Sequence, residues 1–362
     1  MPQKIAAPAG ELTKDQVKIT KGLAILFMLF LHLFCRTDTA DYYNVYLRVG
    51  DTPLIYYFAL FTEICVAIYA FCSGYGLFYS FQNSRGGYGR KNGFRILKLL
   101  CNYWIILLLT CAAGLLLGRG SEIPGSAWDL VAHVLLLKKS YCGAWWFLQT
   151  YVLLVLLSPL LFRLVQKVHP ALVLAGGVLL YFASYLQKYR GILPWDMSND
   201  LIGIPVNAAA NLMECLFPFL MGALCLKYKV FSRLAGWIER VRFRNLLCFA
   251  GIAALVLAHI IVPSAIVNPF LAAPFILLFN LMRMSRPVSA VLHYFARHST
   301  NLWLTHMLFY MVFLPGVVFY PRITVVIFLW LLVLCLAASY AVNLLYHPLE
   351  RAIDRLQSRK RA

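Results

Sequence analysis

Residues 18–36 read KITKGLAILFMLFLHLFCR, an apolar run broken near its far end by one histidine, His32. A run of this length and character is a helix for lipid or for a core, where a ring that hydrogen-bonds and titrates near neutral pH is costly to keep. Lys21 and His32 are eleven residues apart in that run. At about 100° and 1.5 Å per residue, eleven steps bring the chain to within roughly 20° of realignment and about 16 Å along the axis. The lysine and the histidine therefore share a face, which Ile25 and Met28 complete. A stripe with a cation at the membrane edge and an ionisable ring deeper in usually faces a cavity inside a bundle. The plainer alternative is that Lys21 is only a topology signal and His32 hydrogen-bonds a neighbouring helix. The run alone leaves both open.

The rest of the chain decides its class. With 62% hydrophobic and 13% charged residues over 362 positions, and a mean hydropathy of +0.74, it could not assemble a water-soluble surface. We expect an all-α, polytopic transmembrane helical bundle embedded in the lipid bilayer. The net charge of +19 falls in short clusters between apolar segments, as a topology signal does, and this excludes nucleic acid as a partner.

Apolar runs long enough to cross a bilayer lie near 19–36, 54–81, 97–117, 145–162, 171–187, 204–226, 245–262, 267–282, 299–318 and 323–346, so about ten helices are expected. The pair around Pro263 could form one bent hairpin. WDLVAHVLLLKK at 128–139 is too short to span and is assigned to the interface. Residues 1–18 form an N-terminal tail, 19–346 the transmembrane domain and 347–362 a basic tail. The first run has no small-residue cleavage site after it and reads as a retained signal anchor. Counting alternate loops, 25 of the 33 Lys and Arg fall on the side of both termini, so both termini are expected in the cytoplasm. The ten cysteines are mostly within apolar segments and show neither a metal-knuckle spacing nor a disulfide framework. No metal site is expected.

Seven stretches, in order, carry a resemblance. KGLAILFMLFLHL has a basic residue followed by Gly and Ala, with His eleven residues after the basic one. ICVAIYAFCSGYGLF at 64–78 runs into Ser73, Gly74 and Tyr75. GRKNGFRILKLLCNYW at 89–104 holds Arg95 and Lys98, and WWFLQTYVLLVLLSPLL at 145–161 opens on Trp-Phe-Leu and ends on Ser-Pro. FPFLMGALCLK at 217–227, HSTNLWLTHMLF at 298–309 and YHPLERAID at 346–354 follow. Together these resemble the acyltransferase-3 family of integral membrane O-acyltransferases, nearly end to end. The family more often has Arg where this chain has Lys21, often has Pro near the place of Asn102, and has Tyr in the Ser-x-x-x-Tyr-Leu-x-His element where this chain has Trp303, three residues before His306.

The resemblance implies transfer of an acyl group, often acetyl, from cytoplasmic acyl-coenzyme A to a hydroxyl of a cell-envelope carbohydrate or lipid-linked glycan. It implies a multi-pass protein of the cell membrane, the bacterial cytoplasmic membrane in the first instance, with acyl-CoA as co-substrate and no permanently bound cofactor. Association of copies into a homo-oligomer stays open.

The residues suit that chemistry. Removing a hydroxyl proton near neutral pH suits an imidazole, and His32 is the candidate general base, with Lys21 and His306 as further catalytic candidates. The pyrophosphate and ribose phosphate of coenzyme A call for fixed cations, arginine above all; Arg95, Lys98 and Arg90 are the candidates. For Arg90 a topology signal explains as much as binding does. His306, with Thr305 beside it and Asn301 five residues before, suits an interhelical hydrogen bond as well as an active site. Glu63 and Glu214 fall within expected spans and could orient His32 or pair with Lys21. Ser73 beside Gly74 fits helix packing better than a nucleophile. In the first outer loop, Tyr42, Tyr43, Tyr46, Tyr56 and Tyr57 among Asp38, Asp41 and Asp51 could stack on a sugar or form an aromatic belt. An alternative of another class is a proton-coupled transporter or polysaccharide exporter, with His32, His306, Glu63 and Glu214 as a relay. No repeat between the two halves supports it.

Overall fold

The computed structural model describes residues 11–84 and 86–359; Lys4, Arg85, Lys360 and Arg361 of the charge tally lie outside the described residues. Helix α1, Lys14–Phe34, opens on a capping box in which Thr13 Oγ1 accepts from Gln16 N and the Gln16 side chain accepts from Thr13 N. Two polar groups are thereby satisfied before the apolar run begins, so the helix starts five residues earlier than its hydropathy indicates. A two-stranded ladder follows, Arg48–Val49 (β1) against Thr52–Pro53 (β2). Helices α2 (Leu54–Phe61) and α3 (Cys65–Gln82) form one span joined by a tight turn at Thr62–Ile64.

After them come α4 (Tyr88–Leu116), the short α5 (Ala127–Val134), α6 (Trp146–Lys167), α7 (Pro170–Arg190) and α8 (Asp200–Lys227). The chain continues through α9 (Val230–Ile238), α10 (Arg244–Ile261), α11 (Asn268–Leu281) and α12 (Arg286–Met307). It ends with α13 (Pro315–Phe319) and α14 (Thr324–Arg359). Between α12 and α13 the backbone widens into a π-helical turn, Leu308–Phe313.

Among the described residues, eight helices are long and apolar enough to cross a membrane. The two other expected spans are α11, with only 14 residues, and α12, whose apolar character is diluted by Arg286, His293, Arg297, His298, Asn301 and His306. The protein is an all-α, multi-pass membrane protein, and its outer flanks show why: α10 leaves Leu246, Phe249, Leu257 and Ile261 exposed, as a lipid-facing surface does.

Close backbone approaches hold the core. A Cβ on Gly22 would lie 2.0 Å from the Leu292 carbonyl oxygen, so α1 and α12 touch there backbone to backbone. A Cβ on Gly74 would lie 1.9 Å from the Phe219 carbonyl, and one on Gly222 would lie 2.1 Å from the Phe71 carbonyl. Helices α3 and α8 therefore cross antiparallel through a reciprocal glycine pair, the small-residue packing typical of membrane helices. Helices α1 and α12 meet again at His32 and His306. Both contacts advance in the same chain direction, so the two run parallel, the direction expected of the first and ninth of the ten runs read from the sequence.

The last helix runs past its expected end at 346. The basic tail expected from residue 347 is the continuation of α14, which runs helical to Arg359. Lys98 on α4 anchors it, with Asp354 at 2.7 Å and Glu350 at 3.7 Å.

Candidate active site

Helices α1, α3, α4, α6, α12 and α14 enclose a cavity of about 630 Å³. The polar part of its wall on α4 is a stripe, Lys91, Arg95, Lys98 and Asn102, at spacings of four, three and four residues. That spacing keeps all four on one helical face. Lys21 and Met28 of α1, Tyr69 and Ser73 of α3, Phe147 and Tyr151 of α6, and Arg297, Asn301 and Trp303 of α12 line it as well. Helix α14 contributes Asn343, Tyr346, His347 and Glu350.

The cations are not equivalent. Lys98 is held by two carboxylates. Arg95 instead donates to Asn92 Oδ1 at 2.5 Å, a neutral acceptor fixed because Asn92 Nδ2 donates to the Val155 carbonyl and to Ser158 Oγ. Lys91 Nζ donates to Ser84 Oγ at 3.0 Å. Among the described residues, no carboxylate lies within ion-pairing distance of Lys21, Lys91, Arg95 or Arg297. Their charge is left for an anion. Arg90, which stands over the Phe94 ring, does not line the cavity.

An amide ladder forms one side. Asn301 Nδ2 donates to Asn343 Oδ1 and Ser339 Oγ at 3.0 Å each and faces the Ser339 backbone carbonyl at 3.4 Å. A backbone carbonyl can only accept, so Asn301 presents its oxygen to Asn102, whose Nδ2 donates at 2.7 Å. Asn102 Oδ1 is left buried without a partner, and a buried acceptor without a donor is a departure that calls for one.

The cavity closes on Met28, Phe147 and Trp303. One helical turn beyond it, on the same faces of α1 and α12, stand His32 and His306, with ring centroids 5.0 Å apart. Tyr310, carried by the π-helical turn, lies 6.3 Å from His32 and 6.1 Å from His306. His306 is fully buried. Its Nδ1 lies 2.7 Å from the Trp303 carbonyl and 3.1 Å from that of Leu302, so Nδ1 carries the proton. In the neutral ring Nε2 then holds the lone pair, and it has no partner. His32 is half-buried and makes no hydrogen bond among the described residues.

The remaining candidates sit elsewhere. Glu63 accepts from Asn268 Nδ2 at 3.2 Å and lies 4.0 Å from His259. Glu214 is ion-paired with Lys188. Neither acid touches Lys21 or His32, so the pairing expected of them is not made, and the relay of the transporter alternative is divided among separate clusters. Ser73 Oγ donates to the Tyr69 carbonyl at 2.7 Å. Lys21 is with the cavity cations, eleven residues from His32, not at the histidine pair. In the first loop Tyr42 packs under the Arg36 guanidinium at 3.8 Å and against Phe319, while Tyr46 is exposed. Helix α5 rests on α4 through Tyr103 and Trp104, which donate to the His133 and Val134 carbonyls. Beside it, Lys138 pairs with Asp200 at 2.8 Å and Asp129 at 3.2 Å, which raises its pKa above the ordinary lysine value.

Sequence reasoning missed Lys91, Arg297 and the α14 wall as site residues. The α4 stripe contained the signal for Lys91; nothing local in the sequence places Arg297 or Glu350 at the cavity.

With this geometry in view, the comparisons give one match. The acyltransferase-3 family model, an acyltransferase domain, matches residues 15–344, nearly the whole chain. The chain belongs to this family and is a membrane acyltransferase. Neither the curated proteins nor the solved structures yield a match.

Proposed function

We propose that the protein moves an acyl group, in the first instance acetyl, from cytoplasmic acyl-CoA to a hydroxyl of a cell-envelope carbohydrate across the bacterial cytoplasmic membrane. The observation that carries this reading is one bundle with two unlike ends: a cavity in which Lys21, Lys91, Arg95 and Arg297 have no carboxylate partner among the described residues, and one turn beyond its floor a pair of histidines with a free ring nitrogen.

In this reading the phosphates of the donor lie against Arg95, Lys91, Arg297 and Lys21, and the thioester end points toward the histidines. The pantetheine arm carries amide N–H groups, and Asn102 Oδ1 is an acceptor without a donor, held in place by the ladder. His32, the more accessible ring, takes the proton of the acceptor hydroxyl as that oxygen attacks the thioester carbonyl. The C–O bond forms and the C–S bond breaks. The departing thiolate takes the proton back from the imidazolium, and ester and free coenzyme A result. His306, whose tautomer is set by two backbone carbonyls, offers its Nε2 lone pair to a ring N–H of His32 and steadies the charged ring, as the orienting member of a catalytic triad does.

The test is binding of radiolabelled acetyl-CoA to the purified protein. Saturable binding displaced by free coenzyme A is expected; no binding of any acyl-CoA would reject the donor and favour a transporter.

A further inference from the structure

Met28, Phe147 and Trp303 separate the cation-lined cavity from His32 and His306. If the donor is acyl-CoA, as proposed above, its acyl group must reach this floor, because the phosphates are held at the opposite end. We propose that the floor selects the donor by chain length, admitting a short acyl group and refusing a long one, with Trp303 as its fixed side and Met28 as its yielding side.

Trp303 is pinned from two directions. Its indole N–H donates to the Ala144 carbonyl at 2.9 Å, and Trp145 returns the bond from the other side, donating to the Leu304 carbonyl at 2.9 Å. Its ring meets Phe147 edge-on at 5.5 Å, and Phe147 leans in turn on Tyr69 at 6.3 Å. Moving the indole breaks a buried hydrogen bond between α12 and the turn before α6. Met28 has no such restraint: an unbranched thioether with three rotatable bonds changes rotamer at little cost. A gap opened by Met28 alone is small.

Beyond it the rings of His32, His306 and Tyr310 stand within 5.0 to 6.3 Å of one another. A two-carbon acyl group ends before those rings, and a six-carbon chain would have to displace them. The tryptophan also occupies the place where the motif has the smaller tyrosine.

The experiment measures the affinity of the full chain, purified into lipid nanodiscs, for free coenzyme A, acetyl-CoA and hexanoyl-CoA. Wild-type protein is expected to bind hexanoyl-CoA about tenfold or more weakly than acetyl-CoA, the scale on which pockets discriminate size. In Trp303→Val, and less strongly in Met28→Ala, the ratio should move toward hexanoyl-CoA, because each methylene that gains room out of water strengthens binding about fourfold. Met28→Ala, on a different helix, carries the test should Trp303→Val fail to fold. Equal affinity of the wild type for the two acyl-CoAs, or a ratio unmoved in the variants while free coenzyme A still binds, overturns the length filter and leaves the donor standing. Absence of coenzyme A binding by the wild type removes the donor and the filter together.

Discussion

The two ends of α1 differ in what they leave unpaired. At the Lys21 end the unpaired groups are charges, collected from α1, α4 and α12 around an open cavity. At the His32 end they are ring nitrogens, packed beside Tyr310. One helix face spans both, and the Met28 floor lies between. In the proposed reading, holding a polyanionic donor and removing a proton belong to separate parts of one stripe. Damage to one end should then leave the other working.

The largest expected effect is at the histidines. His32→Ala should lower acyl transfer by about two to four orders of magnitude, the usual cost of losing a positioned base. His306→Leu should fall in the same direction, since it removes the Nε2 lone pair. Acetyl-CoA affinity should hold in both, and a parallel loss of affinity would merge the two ends into one site.

Next is the packing that brings the ends together. In Gly22→Ala the new methyl meets the Leu292 backbone, and overpacking of this kind costs about 1–3 kcal/mol. A lower melting temperature, with transfer and binding impaired together, is the expected pattern; an unchanged melting temperature would show that the α1–α12 contact is looser than described.

At the other end, Arg95→Ala should weaken acetyl-CoA binding about tenfold to a hundredfold, the range for a lost hydrogen bond to a charged group. Lys98→Ala should do less to affinity and more to stability, because Lys98 is already committed to Glu350 and Asp354. Equal effects of the two on affinity would return both to one phosphate cluster.

The smallest effect is expected at Glu214→Gln, which should stay within about threefold of wild type in transfer, as for a partly exposed ion pair of little net worth. A large loss there would revive a proton relay.

Much of this comparison was legible in the sequence. The eleven-residue spacing of Lys21 and His32 is a property of one helix, and local periodicity is what sequence displays best. The all-α membrane class followed from composition, and Gly22 was part of the quoted motif, although its reason, the Leu292 backbone, comes from 270 residues away. What could not be read depends on partners distant in the chain. The distinction between Arg95 and Lys98 rests on carboxylates of α14, a helix expected to end before them because hydropathy falls off where the helix leaves lipid but its hydrogen bonds do not. Glu63 and Glu214 looked available for the site, and their true partners, Asn268 and Lys188, lie on other helices. The tautomer of His306 is set by its own helix, yet the ring that faces it comes from α1.

The most direct test is His32→Gln, measured for acetyl-CoA affinity and for transfer of radiolabelled acetyl groups to the cell-envelope carbohydrate fraction. Glutamine keeps a hydrogen-bonding amide of similar reach but cannot act as a base. The account predicts affinity within about threefold of wild type and transfer reduced by about two orders of magnitude or more. Near-normal transfer by His32→Gln would contradict it and leave His32 a hydrogen-bonding strut.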